Sequence, residues 1–438
     1  MRNILQQFAN IRRDEVLPTF VAGLFFFCVL TALMVVRPAR EALGMQRGIE
    51  AIRWLFFGTV LVTLAVNPLF GWLVSRYRRM TFVAATYLFF AIGLVGFYAL
   101  LVLAPASVGV QTGQVFYVWF SVFNLFATML FWAVMADRFS REQSLRLFGA
   151  VAVGGTLGAI FGPWLASQLA RPLGTPALLL IAAVFLVLAL GAAWWLMRLH
   201  TDVDRNGAPG GASDVPAPTI GGSALEGMQA VFRSPYLLGM CGYVLILAVV
   251  ATFIYFTRLQ MVAALGTGLD MRTTVFAQMD TITQTATLVL QALVTGHLMK
   301  RLGIAVTLAL LPITTVLGFL GLALVGTLAA LVAFDAAFRA VQRGVMRPAR
   351  ETLFTTVSRA DRYKAKAFID TFVYRTGDVV GAQTEGLLGK LGMGLTALAA
   401  FAVPLALVWA ALGIWLGNTQ QRAIRAAEPA ADTKGASA

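Results

Sequence analysis

The sequence predicts an all-α membrane protein, a bundle of twelve transmembrane helices in two six-helix halves. Three observations predict this fold class. The 438 residues are 59% hydrophobic and 12% charged, whereas soluble domains carry about 25% charged residues. Apolar runs of about 20 residues, the length needed to cross a bilayer, recur along the chain. A polar stretch divides these runs into two sets of six.

The apolar runs give the predicted elements in order. The first set predicts helices over 17–37, 52–75, 81–104, 113–136, 147–169 and 176–199. The second set predicts helices over 236–258, 275–299, 304–323, 326–346, 366–389 and 393–417. Gly, Pro and Ser between the sets are typical of a flexible linker. We therefore expect an N-terminal bundle (1–199), a cytoplasmic linker (200–233), a C-terminal bundle (234–418) and a disordered cytoplasmic tail (419–438).

Loop charge predicts the orientation. The formal net charge is +14, and basic loops such as SRYRRM and SRADRYKAK follow even-numbered helices. The loop after the third helix, PASVGVQT, has no cation. Because cytoplasmic loops collect Lys and Arg, we expect a multi-pass protein of a bacterial inner membrane with both termini inside. The lipid bilayer then explains the charge without a nucleic-acid partner, since no basic run is interleaved with aromatics.

The two halves repeat weakly. GWLVSR in the first half resembles GHLMKR in the second, and Arg40 and Arg258 share the offset of 218 residues that separates SREQ from SRAD. Coincidence between short basic loops is the alternative. Six-plus-six helices with internal repetition are the architecture of major-facilitator transporters.

Charged residues in the first helix suggest a binding site. Arg37, Arg40 and Glu41 follow one another at the end of this helix, around Pro38. Because a charge inside a bilayer costs about 2.5–3.5 kcal/mol, such residues face a partner or a water-filled cavity. The cations either face a central cavity or snorkel to the interface. Five glycines in the fifth helix indicate close helix packing; they are residues 149, 154, 155, 158 and 162.

The eighth, tenth and eleventh helices carry polar stripes at helical spacing. In the eighth helix the stripe begins at Asp280 and includes Gln284; it lines a pathway or supplies hydrogen bonds between helices. Pairs at i,i+4 are possible for Asp335 with Arg339 and for Lys366 with Asp370. Arg347 and Arg350 are expected at the cytoplasmic interface. Arg375 pairs with an acid such as Asp378 or binds a ligand.

Cations outnumber acids among these candidates. The guanidinium fork suits phosphate and carboxylate, so the pattern predicts a small anionic substrate. The acids are coupling sites or counter-ions. The predicted substrate-binding residues are Arg37, Arg40, Asn124, Arg258, Gln284, Arg339, Arg343 and Arg375, and the predicted coupling or counter-ion residues are Asp280, Asp335 and Asp370.

Signatures of enzymes are missing from the sequence. It contains no HExxH and no GxSxG motif, and the two histidines and two cysteines have no ligand spacing. We therefore expect no enzymatic activity, no metal and no cofactor. We also expect a monomer.

Three segments resemble one family. They are VRPAREALGMQRGIEAIRWLFFG, FWAVMADRFSREQSLRLFG and RPARETLFTTVSRADRYKAKAFIDTFVYRTGD. They are similar to the helix regions of the ATP/ADP translocase family of plastids and intracellular bacteria. The branch from free-living bacteria labelled NTP/NDP exchange transporters is the most similar. The resemblance spans both halves and implies a major-facilitator fold and nucleotide exchange without hydrolysis.

The resemblance also implies roles for single residues. The family's first-helix lysine falls on Arg40, which keeps the charge, and its eleventh-helix basic region matches Lys364 and Lys366. Its fourth-helix glutamate falls on Asn124, and its seventh-helix acid falls in a segment with Arg258 but no acid.

Together these features predict a secondary transporter of an organic anion, with a nucleotide or another phosphorylated metabolite as the leading candidate, working as an antiporter by alternating access. Two alternatives remain open. One is a proton-coupled facilitator for a different solute. The other is a membrane sensor with the same fold that binds without transport.

Overall fold

The computed structural model describes residues 12–76, 79–199, 228, 231–293, 295–357, 365–366, 368–392 and 394–427. Every regular element in these residues is helical, which confirms the predicted fold class. Most of the predicted linker, Lys364 and the end of the predicted tail lie outside the described residues.

The helices follow the predicted apolar runs in order. The first six are α1 (Val16–Gly44), α2 (Ile49–Arg76), α3 (Arg79–Leu103), α4 (Ala106–Arg138), α5 (Arg141–Leu173) and α6 (Ala177–Arg198). The next are α7 (Pro235–Ala264), α8 (Leu269–Leu293), α9 (Thr295–Val325), α10 (Leu328–Val341), α11 (Arg347–Leu353), α12 (Tyr374–Lys390) and α13 (Leu395–Ala427).

Two short π-helical turns interrupt this regular pattern. One turn, Gln342–Met346, joins α10 to α11, and the other, Ile369–Val373, leads into α12. α9 changes direction at Gly303, whose φ of 70° lies in the left-handed region. Glycine adopts that conformation without a steric cost, so the basic segment before it can turn between two predicted helices.

Several helices extend beyond their predicted ends, and two of these extensions change what the sequence predicts. α1 continues through Pro38 to Gly44, which places Arg40 and Glu41 inside the helix. α13 continues past residue 418 to Ala427, where the sequence analysis expected a disordered tail. Alanine, glutamine and arginine there are good helix formers, and Gln420 Nε2 donates a 2.6 Å hydrogen bond to the backbone oxygen of Thr352.

Nine helical spans in the described residues are long and apolar enough to cross a membrane. The three helical stretches outside this set are α8, α10 with α11, and α12. They are the stretches that carry the polar stripes. A helix with charged residues along one face is stable in a bilayer when other protein groups or water cover that face. We therefore expect the polar stripes to face protein or water and not lipid.

The described residues form two compact units, each with its own apolar core. Unit 1 contains the described residues before position 212 together with Val262–Gln284, and unit 2 contains the described residues of Ser213–Met261 and Thr285–Ala438. Aromatic pairs dominate the core of unit 1; Phe26 stacks on Phe131 with centroids 4.0 Å apart. Trp409 is fully buried in the core of unit 2.

Glycines let pairs of helices approach closely in both units. In unit 1, a Cβ on Gly162 of α5 would lie 2.9 Å from Met34 Cβ and 3.0 Å from the backbone oxygen of Thr31 on α1. In unit 2, a Cβ on Gly377 of α12 would lie 2.9 Å from the backbone oxygen of Leu245 on α7. The Gly162 contact, with similar ones at Gly154, Gly155 and Gly158, confirms that these four glycines of the fifth predicted helix allow close packing.

Candidate functional site

Arg40 is enclosed by its neighbours in unit 1. Its Nη1 lies 2.9 Å from Glu41 Oε1, and its Nε donates a 3.2 Å hydrogen bond to the backbone oxygen of Tyr117. Its Cζ stands 3.7 Å from the centroid of the Tyr117 ring, a cation–π distance. Glu41 is 3% exposed. The pair is thus a buried ion pair with an aromatic cover.

A second ion pair in unit 1 joins α1 to α8. Arg37 Nε lies 3.8 Å from Asp280 Oδ2, and Asp280 is 2% exposed. Gln284, one turn further along α8, places its Nε2 3.9 Å from Met34 Sδ. Four predicted residues, including Arg40, are therefore close to the same end of α1.

The first half of α8 is also anchored at its start. The backbone N–H of Thr175 donates a 2.6 Å hydrogen bond to Asp270 Oδ1, and its hydroxyl donates at 2.9 Å to the hydroxyl of Thr273. α8 is thus fixed to unit 1 from its first turn to Asp280. The sequence places this helix in the second half of the chain, so its attachment to unit 1 is a property of the tertiary structure.

Four predicted residues lie elsewhere. Asn124 is exposed on α4. Arg258 is buried on α7 and is not part of the described lining of the cavity defined below. Asp335 and Arg339 form the predicted i,i+4 pair within α10, with 2.7 Å between Arg339 Nε and Asp335 Oδ1.

A cavity of about 540 Å³ in unit 2 gathers most of the charge. We call it the cationic cavity. Its lining has five basic and two acidic side chains, a formal excess of three positive charges. The lining consists of Leu247, Gln342, Arg343, Met346, Arg347, Arg350, Glu351, Lys366, Asp370, Tyr374 and Arg375. Three of the predicted site residues, Arg343, Asp370 and Arg375, are therefore brought together.

Four of these side chains form a chain of ion pairs across the cavity wall. Arg350 Nη2 lies 3.1 Å from Asp370 Oδ1 and 3.5 Å from Glu351 Oε1, and Lys366 Nζ lies 2.5 Å from Glu351 Oε2. Arg375 pairs with Asp378 at 2.9 Å, one of the two roles expected for it. The predicted pair of Lys366 with Asp370 is wrong, because the π-helical turn that begins at Ile369 breaks the α-helical i,i+4 register.

Both π-helical turns contribute residues to the cavity wall. Gln342, Arg343 and Met346 belong to the first turn, and Asp370 belongs to the second. Such turns occur frequently at functional sites. The pyrrolidine ring of Pro348 would clash with the carbonyl of residue 344 in a regular helix, which gives a local reason for a wider turn there.

Arg347, Arg350 and Lys366 line the cavity but are not among the predicted substrate-binding residues, and the two arginines were expected at the cytoplasmic interface. A signal for them is present: the pentapeptide RPARE occurs at 37–41 and again at 347–351. The first copy was recognised as a candidate site, so its repetition points to the second. In each copy the second arginine contacts the glutamate that follows it.

The described residues contain no group of three or more His, Cys, Asp and Glu that could hold a metal ion. In the cationic cavity the groups available to bind a ligand are mainly the side chains of its arginines and its lysine. Their N–H groups are charged hydrogen-bond donors, which suit oxyanions. Arg343 and Arg347 supply forks and Lys366 supplies a compact ammonium.

Apolar spanning helices, together with charged helical stretches that line a cavity, are typical of a polytopic membrane transporter. The family model of the Major Facilitator Superfamily matches residues 16–341, and the chain belongs to this superfamily. It is a secondary transporter of the membrane, and not an enzyme. No curated protein sequence matches the chain. The superfamily is thus established, and the ATP/ADP translocase resemblance remains a prediction.

Solved transporter structures share the fold at low sequence identity. The nucleoside transporter NupG is 13% identical, with a TM-score of 0.57 over 94% of this chain and 99% of that one. A POT family transporter in complex with a thioalcohol-conjugated peptide is 11% identical, with a TM-score of 0.60 over 92% and 96%. A bacterial homolog of the human lysosomal transporter Spinster is 14% identical, with a TM-score of 0.55 over 94% and 98%.

Proposed function

We propose that this protein transports an organic anion by alternating access and that the anion binds in the cationic cavity. The observation that carries the proposal is the formal excess of three positive charges in the lining. Positive charge inside a membrane protein is costly, and an anionic substrate that binds beside these cations offsets part of that cost. The volume of about 540 Å³ falls in the range of about 300–1,000 Å³ that is usual for small-molecule sites.

A nucleotide or another phosphorylated metabolite is the leading substrate class. Arginine forks match phosphate oxygens in a bidentate manner, and Tyr374 adds a ring to the lining on which a planar base can stack. The resemblance to the ATP/ADP translocase family points to the same class. Among the superfamily structures that share the fold is one named for nucleoside transport.

The other residues predicted from the sequence stay predicted substrate-binding residues. They are Arg37, Arg40, Asn124 and Gln284 in unit 1 and Arg258 and Arg339 in unit 2.

We also propose that the protein is a monomer in a bacterial inner membrane. The loop charges favour an orientation with both termini in the cytoplasm.

The first test is thermal unfolding of the purified protein against a panel of metabolites that includes ATP and ADP. A ligand that binds the folded state raises the apparent stability by about 2.7 kcal/mol at one hundred times its Kd. We expect stabilisation by phosphorylated anions, lost in Arg343→Gln and retained in Arg422→Gln, an exposed arginine of α13. A shift only with uncharged or cationic solutes would refute the anion. Reconstituted flux then separates a transporter from a sensor that binds without transport.

A proton-coupled mechanism is the second candidate, and the Arg37–Asp280 pair favours it. A buried carboxyl beside an arginine can exchange a proton as the pair opens and closes. Asp280→Asn separates the two mechanisms. Exchange driven by counter-substrate survives this change, whereas flux driven by a pH gradient through Asp280 is lost. Asp270→Asn, at the start of α8, is the matched control for a carboxylate of the same helix.

A further inference from the structure

The five cations of the cationic cavity differ in their surroundings. Arg350 is 8% exposed and is held by Asp370 at 3.1 Å and by Glu351 at 3.5 Å. Lys366 is held by the other oxygen of Glu351 at 2.5 Å. This chain of four charges sums to zero and joins α11 to the residues that lead into α12.

Arg347 has a different position. It lies one turn before Arg350 on α11, its side chain lines the cavity, and it is exposed. Because the ion-pair chain is neutral as a whole, the positive excess of the cavity comes from Arg343, Arg347 and Arg375. Arg375 has Asp378 as its acid at 2.9 Å, whereas Arg347 lines the cavity with an exposed side chain.

We propose that the second RPARE segment divides two tasks between its arginines: Arg347 contacts the anion, and Arg350 is a positioning residue that fixes the cavity wall through Asp370 and Glu351. This inference rests on the proposed function, since it names the groups that hold the proposed anion. It adds Arg347 as a substrate contact and gives Arg350, which also lines the cavity, a structural role.

The first RPARE segment supports the assignment of the second arginine. Arg40 is likewise held by the glutamate that follows it, at 2.9 Å, and by Tyr117. A guanidinium already bound by a carboxylate must give up a charged hydrogen bond before it can bind a substrate oxygen with the same donor, and such bonds are stronger than neutral ones. In both copies the second arginine is therefore better suited to a structural role than to binding the substrate.

The acids around Arg350 are close enough for it to hold the cavity wall in place through ion pairs. The side chains of Glu351 and Lys366 are about 40% exposed, whereas Arg350 is 8% exposed. Loss of Arg350 leaves Asp370 without its guanidinium contact and releases one link between α11 and the π-helical turn before α12. The wall then loses the geometry that aims Arg347 at the cavity.

The test is isothermal titration of the purified full-length protein with ADP, with pyrophosphate and citrate as further probes, beside thermal unfolding. Arg347→Gln is expected to weaken binding at least about tenfold without lowering the unfolding temperature. Arg350→Gln is expected to lower the unfolding temperature and to weaken binding. In the double variant Arg350→Gln with Asp370→Asn, two neutral amides can hydrogen-bond and keep the link between α11 and the π-helical turn, so both quantities are expected to recover to near wild-type values. Arg422→Gln on α13 is the control.

The outcomes separate the two proposals. A double variant that recovers its unfolding temperature but still binds as weakly as Arg347→Gln would make Arg350 a substrate contact and overturn the division. Unchanged binding in Arg347→Gln would also overturn it, while the proposed function would stand on wild-type binding. Failure of the wild type to bind any of the three probes, or any anion of the metabolite panel, would overturn the proposed function itself.

Discussion

The two RPARE segments place the same five residues in different surroundings. In α1 the pair of Arg40 and Glu41 is enclosed, with side chains 16% and 4% exposed. In α11 the side chain of Arg350 is 10% exposed and that of Glu351 is 41% exposed. The first pair is an internal part of unit 1, and the second forms part of the wall of a cavity.

The residue three positions after each copy also differs. Gly44 follows the first copy, and its lack of a side chain lets the Tyr117 ring approach within 2.7 Å of where a Cβ would lie. Phe354 stands at the same distance after the second copy, and its own ring is 5.7 Å from Lys366 Nζ. The comparison teaches that both copies of the segment form the same Arg–Glu ion pair, while the residues packed around each copy decide whether the pair is buried.

The largest expected effect separates the two glutamates. Glu41→Gln is expected to destabilise the protein by about 3–5 kcal/mol, because it leaves a buried guanidinium without its carboxylate. Thermal or denaturant unfolding in detergent measures this change. Glu351→Gln is the matched substitution in the second copy, and we expect less than about 1 kcal/mol there, since exposed pairs contribute little. Equal losses of unfolding free energy from the two substitutions would contradict the proposed difference between the two copies.

An intermediate effect is expected at Gly44. Gly44→Ala places a methyl group 2.7 Å from Tyr117 Cδ2, and overpacking of this kind costs about 1–3 kcal/mol. The unfolding temperature measures the loss. Gly96→Ala on α3 is the control, because a Cβ there meets nothing within 4 Å. If Gly44→Ala were as stable as Gly96→Ala, the tight contact with Tyr117 would not define the first copy.

The smallest effect is the response of the second copy to salt and pH. Burial raises the pKa of Glu351, but the hydrogen bond and charge of Lys366 and the charge of Arg350 outweigh it, so that its pKa is lowered. A lowered pKa stabilises the fold above the ordinary glutamate pKa of about 4.3, and that contribution is lost as the pH falls through the lowered value.

The measurement for this third prediction compares wild type with Glu351→Gln. The stability difference between them is expected to shrink in about 1 M salt, where the Debye length is about 3 Å, and to shrink again in acid. The difference between wild type and Glu41→Gln is expected to change little with salt, because that pair is enclosed. A salt response of equal size at both glutamates would contradict the contrast in burial.

Much of the fold was predictable because its signals are local. Each predicted helix overlaps an observed one in the described residues, since apolar runs of sufficient length specify membrane helices directly. The i,i+4 pair of Asp335 with Arg339 was predictable for the same reason. The pairs of Arg37 with Asp280 and of Arg350 with Asp370 were not, because their members lie on different helices.

The sequence by itself determined the class of protein, the positions of its helices and the excess of arginine that an anion would satisfy. These properties follow from composition and from the period of a single helix. The tertiary structure decided which arginines share a cavity, that the first half of α8 belongs with unit 1, and which glutamate is buried. The physical reason is that an i,i+4 ion pair contributes only about 0.2–0.5 kcal/mol, so contacts between helices decide the partners of Arg350 and Lys366.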